Sequence, residues 1–187
     1  MQKRYFTISI ALALLLAGGL GRAEAKSRHF IDHYAGTGVN GVIDTNGDGM
    51  TASVNTGIAN TNLGRFLFQS EAEFLPALVT NVTCPAGTAE FPLLQLHSVL
   101  TDQKTGEQLF LTYTSGTGCV DFTTLTITGH EQGTFSGGTG RFVHATGTFA
   151  EDDTGSILVF DLPAFHDFGN ITGTLTGTIT GVEDGGD

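Results

Sequence analysis

One segment has the residue spacing of a calcium-binding loop. The motif DTNGDG places Asp44, Asn46 and Asp48 at the first, third and fifth positions, and Gly49 at the sixth, where such loops bend sharply. The twelfth position is Asn55 instead of a bidentate glutamate, and no helical pattern flanks the motif. The sequence therefore predicts either a weak calcium site at Asp44, Asn46 and Asp48 or a polar turn between strands. No other cofactor is expected.

Four polar side chains are candidates to contact a small molecule inside the fold. Gln95 and His97 share the parity of the apolar residues just before them, and His144 shares the parity of Phe142. A neutral imidazole can act as a general base or orient a ligand carbonyl. Tyr113 offers a hydroxyl at the end of an apolar ring. We therefore predict that these four side chains line a cavity, the alternative for each histidine being a packed or surface position.

The chain contains two cysteines, Cys84 and Cys119. In an exported protein an even pair predicts a disulfide, which would stabilise a fold of this kind by about 3–4 kcal/mol in the chain-entropy model. Two buried free thiols are the alternative. Metal binding by this pair is disfavoured, because no CxxC spacing is present.

Alternating apolar and polar residues indicate strands throughout residues 63–180. Between Leu63 and Phe74, the phenylalanines share one parity and most of the polar residues share the other. Near the end of the chain, threonine occupies every second position from Thr172 to Thr180. The predicted strands are 63–74, 91–100, 108–113, 120–128, 133–135, 141–149, 156–162 and 171–180. Seven or eight short strands with glycine turns predict an all-β sandwich or barrel.

A glycine-rich segment resembles a known barrel superfamily. Residues 137–142 read GGTGRF and residues 145–147 read ATG. This pattern is similar to the glycine-rich hairpin of the allene oxide cyclase and dirigent superfamily. The segment 170–180 resembles the last strand of such barrels, and the segments 44–49 and 63–66 resemble the opening of secreted bacterial members. The resemblance covers residues of about 40–181.

The resemblance implies a single antiparallel, eight-stranded closed β-barrel with a central cavity. Plant members of the superfamily use this cavity to bind hydrophobic precursors and to steer cyclisation or coupling. The glycine motif is structural, because it allows the chain to turn tightly with positive φ angles. No residue of this chain matches a catalytic acid of the family, so the resemblance assigns no catalytic residue.

The first 25 residues have the pattern of a secretory signal peptide. Lys3 and Arg4 precede an apolar stretch at 6–20, and small residues at Ala23 and Ala25 fit a cleavage site after Ala25. A membrane anchor is disfavoured because the stretch is shorter than the ~20 residues that span a bilayer. We therefore expect an exported protein, periplasmic or extracellular, that is not inserted in a membrane after cleavage.

The remainder divides into an extended lead-in at 26–42, a barrel domain at 43–181 and an acidic tail at 182–187. The net charge of −11 disfavours nucleic acid and anionic lipid as partners. We predict a non-catalytic barrel that binds a small hydrophobic molecule. The alternative is a cyclase or isomerase that shapes a hydrophobic substrate in the barrel.

Overall fold

The described part of the chain is one closed antiparallel barrel of eight strands. The computed structural model describes residues 26–43, 52–75, 83–161 and 166–183. Each strand pairs with the next, and the last pairs with the first, so the barrel has no free edge. The prediction of an all-β, eight-stranded closed barrel is confirmed. The strands are β1 (Arg28–Ile43), β2 (Ala52–Thr61), β3 (Gly64–Phe74), β4 (Ala89–Asp102), β5 (Gln108–Asp121), β6 (Thr126–Gly138), β7 (Thr146–Asp161) and β8 (His166–Thr180).

Strand β1 corrects the prediction of an extended lead-in at residues 26–42. It pairs with β8 along most of its length and with β2 on its other side, so the barrel begins before residue 43. The residues that point inward include Phe30, Asp32 and Tyr34, of which the first two are almost completely buried. An acid among the inward positions hides the apolar alternation that indicates a strand. The sequence pattern was therefore too polar to be recognised.

A bulge in β4 reverses which of its side chains face the interior. Gln95 pairs with Glu73, whereas Leu93 pairs with Phe74, so Leu94 has no partner on β3. One extra residue shifts the alternation by one position, and every later side chain of the strand changes sides. A second register shift lies in the middle of β5. That strand is continuous across the gap predicted between residues 113 and 120.

Aromatic side chains fill the barrel at the end where β1 begins, here called the plugged end. Phe30 packs edge-on against Phe135, with ring centroids 5.0 Å apart. A short 3-10 helix, Gly140–Phe142, lies between β6 and β7 and brings Phe142 to within 5.9 Å of the ring of Phe66. Phe30, Phe66 and Phe142 have no exposed surface. Burying a phenylalanine side chain contributes about 2–3 kcal/mol, so this plug anchors the fold.

An ion pair covers the plugged end. Nη2 of Arg141 donates to Oδ2 of Asp102 at 2.5 Å and to the carbonyl of Leu63 at 3.0 Å. The guanidinium also lies over the ring of Phe142, 4.7 Å from its centroid. Strand ends from β3 and β4 are thereby joined to the connection that follows β6.

Cys84 and Cys119 form the predicted disulfide, with 5.6 Å between their Cα atoms. It joins the segment before β4 to the end of β5. Among the described residues, no helix is both long enough and apolar enough to cross a membrane. The predicted signal peptide at 1–25, the loop with Asp44, Asn46 and Asp48, and residues 184–187 of the tail lie outside the described residues.

Candidate functional site

The half of the barrel opposite the plugged end contains a cavity of about 460 Å³. The last residues of β1, β3, β5 and β7 and the first residues of β2, β4, β6 and β8 lie at its mouth. The part of the wall nearest this mouth is mainly apolar, apart from a hydrogen-bonded pair in which Asn40 donates to Asp167. The part near mid-barrel combines apolar residues with both tyrosines and most of the acids of the cavity. The apolar side chains near the mouth are Phe74, Leu75, Phe91, Val120, Phe122, Ile127 and Ile157.

Two tyrosines hold one glutamate at the inner end of the cavity. The hydroxyl of Tyr34 donates to Oε1 of Glu151, and the hydroxyl of Tyr113 donates to Oε2, each at 2.5 Å. The three residues come from β1, β5 and β7, so the hydrogen bonds cross the barrel. Burial raises the pKa of Glu151, and the two tyrosine hydrogen bonds partly offset this effect. Burial and the charge of Glu151 raise the pKa of both tyrosines.

Two further carboxyl groups lie beside Glu151. Carboxyl oxygens of Glu131, Glu151 and Asp153 are within 4.8 Å of one another. Burial, followed by the charges of neighbouring acids, raises the pKa of Glu131 to about 10. Burial and the charge of Glu151 raise the pKa of Asp153 to about 7, against an opposing hydrogen bond from the backbone of Gly129. These acids therefore hold protons more tightly than ordinary carboxyl groups do.

Asp32 is a fourth acid in the same cavity. Its side chain is 2% exposed, and its Oδ1 has no hydrogen-bond partner among the described residues. Burial, and then the charge of Glu151, raise its pKa to about 7. Oε2 of Glu131 likewise has no partner in the described part of the chain. Buried polar atoms are normally hydrogen-bonded, so these two oxygens are left to contact water or a bound molecule in the cavity.

Two glycines provide the space that the acids and one tyrosine occupy. A Cβ atom at Gly129 would lie 2.6 Å from Oδ2 of Asp153 and 2.7 Å from Oε1 of Glu131. A Cβ atom at Gly173 would overlap the ring of Tyr34. These two glycines therefore leave room for the side chains of the acids and of Tyr34 to lie against the neighbouring strands.

The lining offers proton donors and acceptors but no basic group. Among the described residues that line the cavity, there is no lysine, arginine or histidine. The acids must therefore be neutralised by bound protons or by a positively charged ligand. The cavity can supply an acidic proton, accept hydrogen bonds or bind a cation beside an apolar wall.

A comparison with solved structures finds a similarity to a dirigent protein. The pterocarpan synthase dirigent protein is 12% identical, with 88% of this chain and 89% of that chain covered and a TM-score of 0.29. At this level the likeness assigns no fold, residue or activity to this chain. No protein-family model and no curated protein match the chain. The resemblance to allene oxide cyclases stays a prediction.

Of the four predicted cavity residues, Tyr113 lies in the cavity wall and two others on β4 do not. His97 is exposed, and Gln95 donates to Oε2 of Glu73 at 2.7 Å, away from the lining. The bulge at Leu94 explains this correction. It turns Ser98 inward and leaves His97 on the outer face. The ligand-binding role of Tyr113 stays a prediction.

His144 is also misplaced in the sequence interpretation. The prediction assigned it to a strand at 141–149, whereas it is exposed in the connection between the 3-10 helix and β7, at the plugged end. Gly140 has a φ of 55°, which turns the chain out of the extended conformation before His144 is reached. It therefore lies at the opposite end of the barrel from the mouth.

Sequence reasoning missed four of the five acids that line the cavity, namely Asp32, Glu131, Glu151 and Asp153. A signal for two of them was present in β7. Glu151 and Asp153 share the parity of Phe149 and Ile157, and strict alternation places all four inside. Glu131 likewise shares the parity of Ile127 and Phe135, and Asp32 that of Phe30 and Tyr34, but both acids lie outside the predicted strands. The strand pairing shows that they belong to β6 and β1.

Proposed function

We propose that this protein is an exported barrel that binds a small molecule in its cavity without transforming it. The bound molecule has an apolar body, held near the mouth, and a polar end, held by the carboxyl and tyrosine groups at mid-barrel. The observation that supports this proposal is a cavity of about 460 Å³ whose wall is mainly apolar near the mouth and carries tyrosine and carboxyl groups near mid-barrel. Ligand sites usually have volumes of a few hundred Å³, with mostly apolar walls and a few convergent polar groups.

Export is supported by the disulfide and by the sequence of residues 1–25. Disulfides persist in oxidising compartments, and Cys84 and Cys119 are joined in the structure. The acidic surface keeps such a barrel away from anionic lipid and nucleic acid. A small molecule is therefore the partner that the fold suits best.

Binding of a neutral, environment-sensitive naphthylamine dye tests the proposal. The dye should bind the purified protein and brighten, because the apolar wall excludes water from it. Ser70→Phe places a ring in the cavity and should abolish this signal. Gln69→Phe, on the exposed face of the same strand, is the matched control and should retain it. Equal dye binding in both variants, or none in the wild type, would contradict the proposal.

Native mass spectrometry of protein purified from its own host addresses the ligand directly. A retained mass that is released by denaturation, and that is missing from Ser70→Phe, would identify the natural ligand. The cavity would be rejected as a binding site by two results together. The host-derived protein would show only the mass of the ligand-free chain, and Ser70→Phe would bind the dye as well as the wild type does.

A cyclase or isomerase is the second candidate, and one observation favours it. Burial raises the pKa of Glu131 to about 10, so this carboxyl group carries a proton at neutral pH beside an apolar cavity. Such a group can protonate a hydrophobic substrate as a general acid. Once the ligand is known, turnover that Glu131→Gln removes while ligand binding remains would establish this activity. If the wild type binds the ligand but does not convert it, the enzyme hypothesis is rejected and the non-catalytic binding protein is supported.

A further inference from the structure

The three clustered acids would repel one another if all were ionised, so they need bound protons or a cation to lie this close together. Glu131 and Glu151 are directly opposite each other on β6 and β7, and Asp153 is opposite Gly129 on the same pair of strands. Like charges at directly opposite positions destabilise a sheet. All three side chains nevertheless point into the cavity. Such a cluster can be useful when a cation occupies the space between the acids.

A fourth acid supplies an independent indication of a cation. Asp32 comes from β1, two strands away from β7, and it is 2% exposed with an unpartnered Oδ1. It lines the same cavity and is close enough to feel the charge of Glu151. Oε2 of Glu131, which is 5% exposed, also lacks a hydrogen-bond partner in the described residues. Asp32 is not among the three acids whose oxygens lie within 4.8 Å of one another, so the unpartnered Oε2 of Glu131 is the free oxygen within the cluster, and that of Asp32 lies elsewhere in the same cavity.

We propose that Glu131, Glu151 and Asp153 bind one calcium ion at the inner end of the barrel cavity, with Asp32 beside it. Carboxylate oxygens prefer hard cations, and calcium takes six to eight oxygens at about 2.3–2.6 Å. Two oxygens on one calcium ion can therefore be about 4.6–5.2 Å apart at most. One oxygen from each of the three carboxyl groups lies within 4.8 Å of the other two, so small side-chain movements would let a single calcium ion contact all three.

Other cations fit this cluster less well. Magnesium binds at about 2.0–2.1 Å with strict octahedral geometry and keeps several waters, so it is usually held by one or two carboxylates and not by three. Zinc prefers nitrogen and sulfur ligands, and the described lining has neither histidine nor cysteine. An organic ammonium group carries one charge and leaves more of the carboxylate charge uncompensated than a divalent ion does.

This site is distinct from the predicted loop at Asp44, Asn46 and Asp48, and it goes beyond the proposed small-molecule binding. A calcium ion would ionise the three carboxyl groups, so Glu131 could not then serve as a general acid. It would also offer a positive charge to an oxygen of the bound molecule. Failure of calcium binding would leave the dye experiment on Ser70→Phe unaffected, so the two proposals can fail separately.

Terbium luminescence tests the site, because terbium replaces calcium and is excited by nearby tyrosine. The chain has three tyrosines and no tryptophan, and two of the tyrosines donate to Glu151. We expect tyrosine-sensitised terbium emission from the chelator-treated protein, and calcium should reverse it by competition. Tyr113→Phe and Tyr34→Phe should each reduce the emission, because each removes an excitation donor beside the ion. Absence of sensitised emission and of calcium binding by calorimetry would overturn the proposal.

Carboxamide variants locate the ion. Glu131→Gln and Asp153→Asn should each weaken calcium binding by about tenfold or more, because each removes one anionic ligand of the ion. Asp152→Asn is the matched control on the same strand, since Asp152 faces outward with a side chain that is 79% exposed. The double variant Asp44→Asn/Asp48→Asn separates the loop from the cavity, and it should leave the sensitised emission intact.

Two outcomes would reject the assignment. One is calcium binding that the loop variant abolishes and the cavity variants retain. The other is equal loss of affinity in Asp152→Asn and Glu131→Gln, which would indicate a general charge effect. Thermal melts should show that Glu131→Gln folds, because it replaces a buried acid by a neutral group of the same shape. If it does not fold, Asp153→Asn and the two tyrosine variants decide the question.

Discussion

Tyr113 and Glu151 are joined across the barrel interior by a hydrogen bond of 2.5 Å, from β5 to β7. The strand between them, β6, contributes Glu131 to the same cluster. This bond links the wall of the cavity to one of its buried acids. It also makes Tyr113 both a packing residue, against Phe149, and a determinant of the electrostatics of the site.

We predict that Tyr113→Phe lowers the free energy of unfolding by about 1–3 kcal/mol, because it leaves Oε2 of Glu151 without its donor inside the cavity. The ring should stay in place, since it packs edge-on against Phe149 with centroids 4.9 Å apart. Chemical denaturation measures the change. In a Glu151→Gln background the loss should be smaller, and an unchanged loss would show that the bond to Glu151 is not its cause.

The buried acids predict that stability falls as the pH rises. Burial raises the pKa of Asp32 from its ordinary value of 3.8 to about 7, so between these values the folded state binds more protons than the unfolded state. The stabilisation is fully present below the unfolded pKa and is lost as the pH rises through about 7. Glu131 and Asp153 act in the same direction.

Denaturation in chelator-containing buffer at about pH 5 and about pH 8 measures this effect. We expect Asp32→Asn to reduce the difference in unfolding free energy by about 1–3 kcal/mol, because the amide does not titrate. The exposed Asp152→Asn is the control and should change the difference little. Higher stability at the more alkaline pH would contradict the burial of these acids.

The disulfide should contribute substantially to stability. Cys84 and Cys119 are separated by 35 residues, and closing such a loop stabilises a fold by about 3–4 kcal/mol in the chain-entropy model. The double variant Cys84→Ala/Cys119→Ala should melt at a lower temperature than the oxidised protein. A reducing agent should lower the melting temperature of the wild type and leave that of the variant unchanged. A wild type whose melting is insensitive to reduction would argue against the bridge.

Removing one partner of the ion pair at the plugged end should lower the free energy of unfolding. Arg141→Met leaves the 7% exposed carboxylate of Asp102 without its cation, which we expect to cost about 2–4 kcal/mol of unfolding free energy. Arg65→Met removes an exposed arginine from β3 and serves as the control. Adding Asp102→Asn to Arg141→Met should recover part of the loss. No recovery would show that the uncompensated charge is not the cause.

The fold was largely predictable because its determinants are local. Phe66, Phe68 and Phe74 share one parity of β3, and all three line the core or the cavity. The pairing of Cys84 with Cys119 followed from their number and the expected compartment. In contrast, β1 was missed because its inward face carries Asp32 and Tyr34 as well as Phe30. An acid among the inward positions gives no hydrophobic signal for a strand.

The candidate site was predictable only at Tyr113. Gln95 and His97 were placed inside on the assumption of unbroken alternation, and the bulge at Leu94 moves them away from the cavity. His144 was placed on a strand that begins only after a 3-10 helix. A single extra residue, or a turn with positive φ, therefore exchanges the inside and the outside of a barrel without a clear change in composition.

The amino-acid sequence by itself determined the all-β class, the strand-rich centre of the chain and the cysteine pair, because each depends on residue type and on spacing within a segment. Only the tertiary structure decided that Asp32, Glu131, Glu151 and Asp153 meet in one cavity. These acids lie on three strands, and they converge because the sheet closes on itself and brings β1 next to β8. That convergence depends on the register between strands, which no single segment encodes.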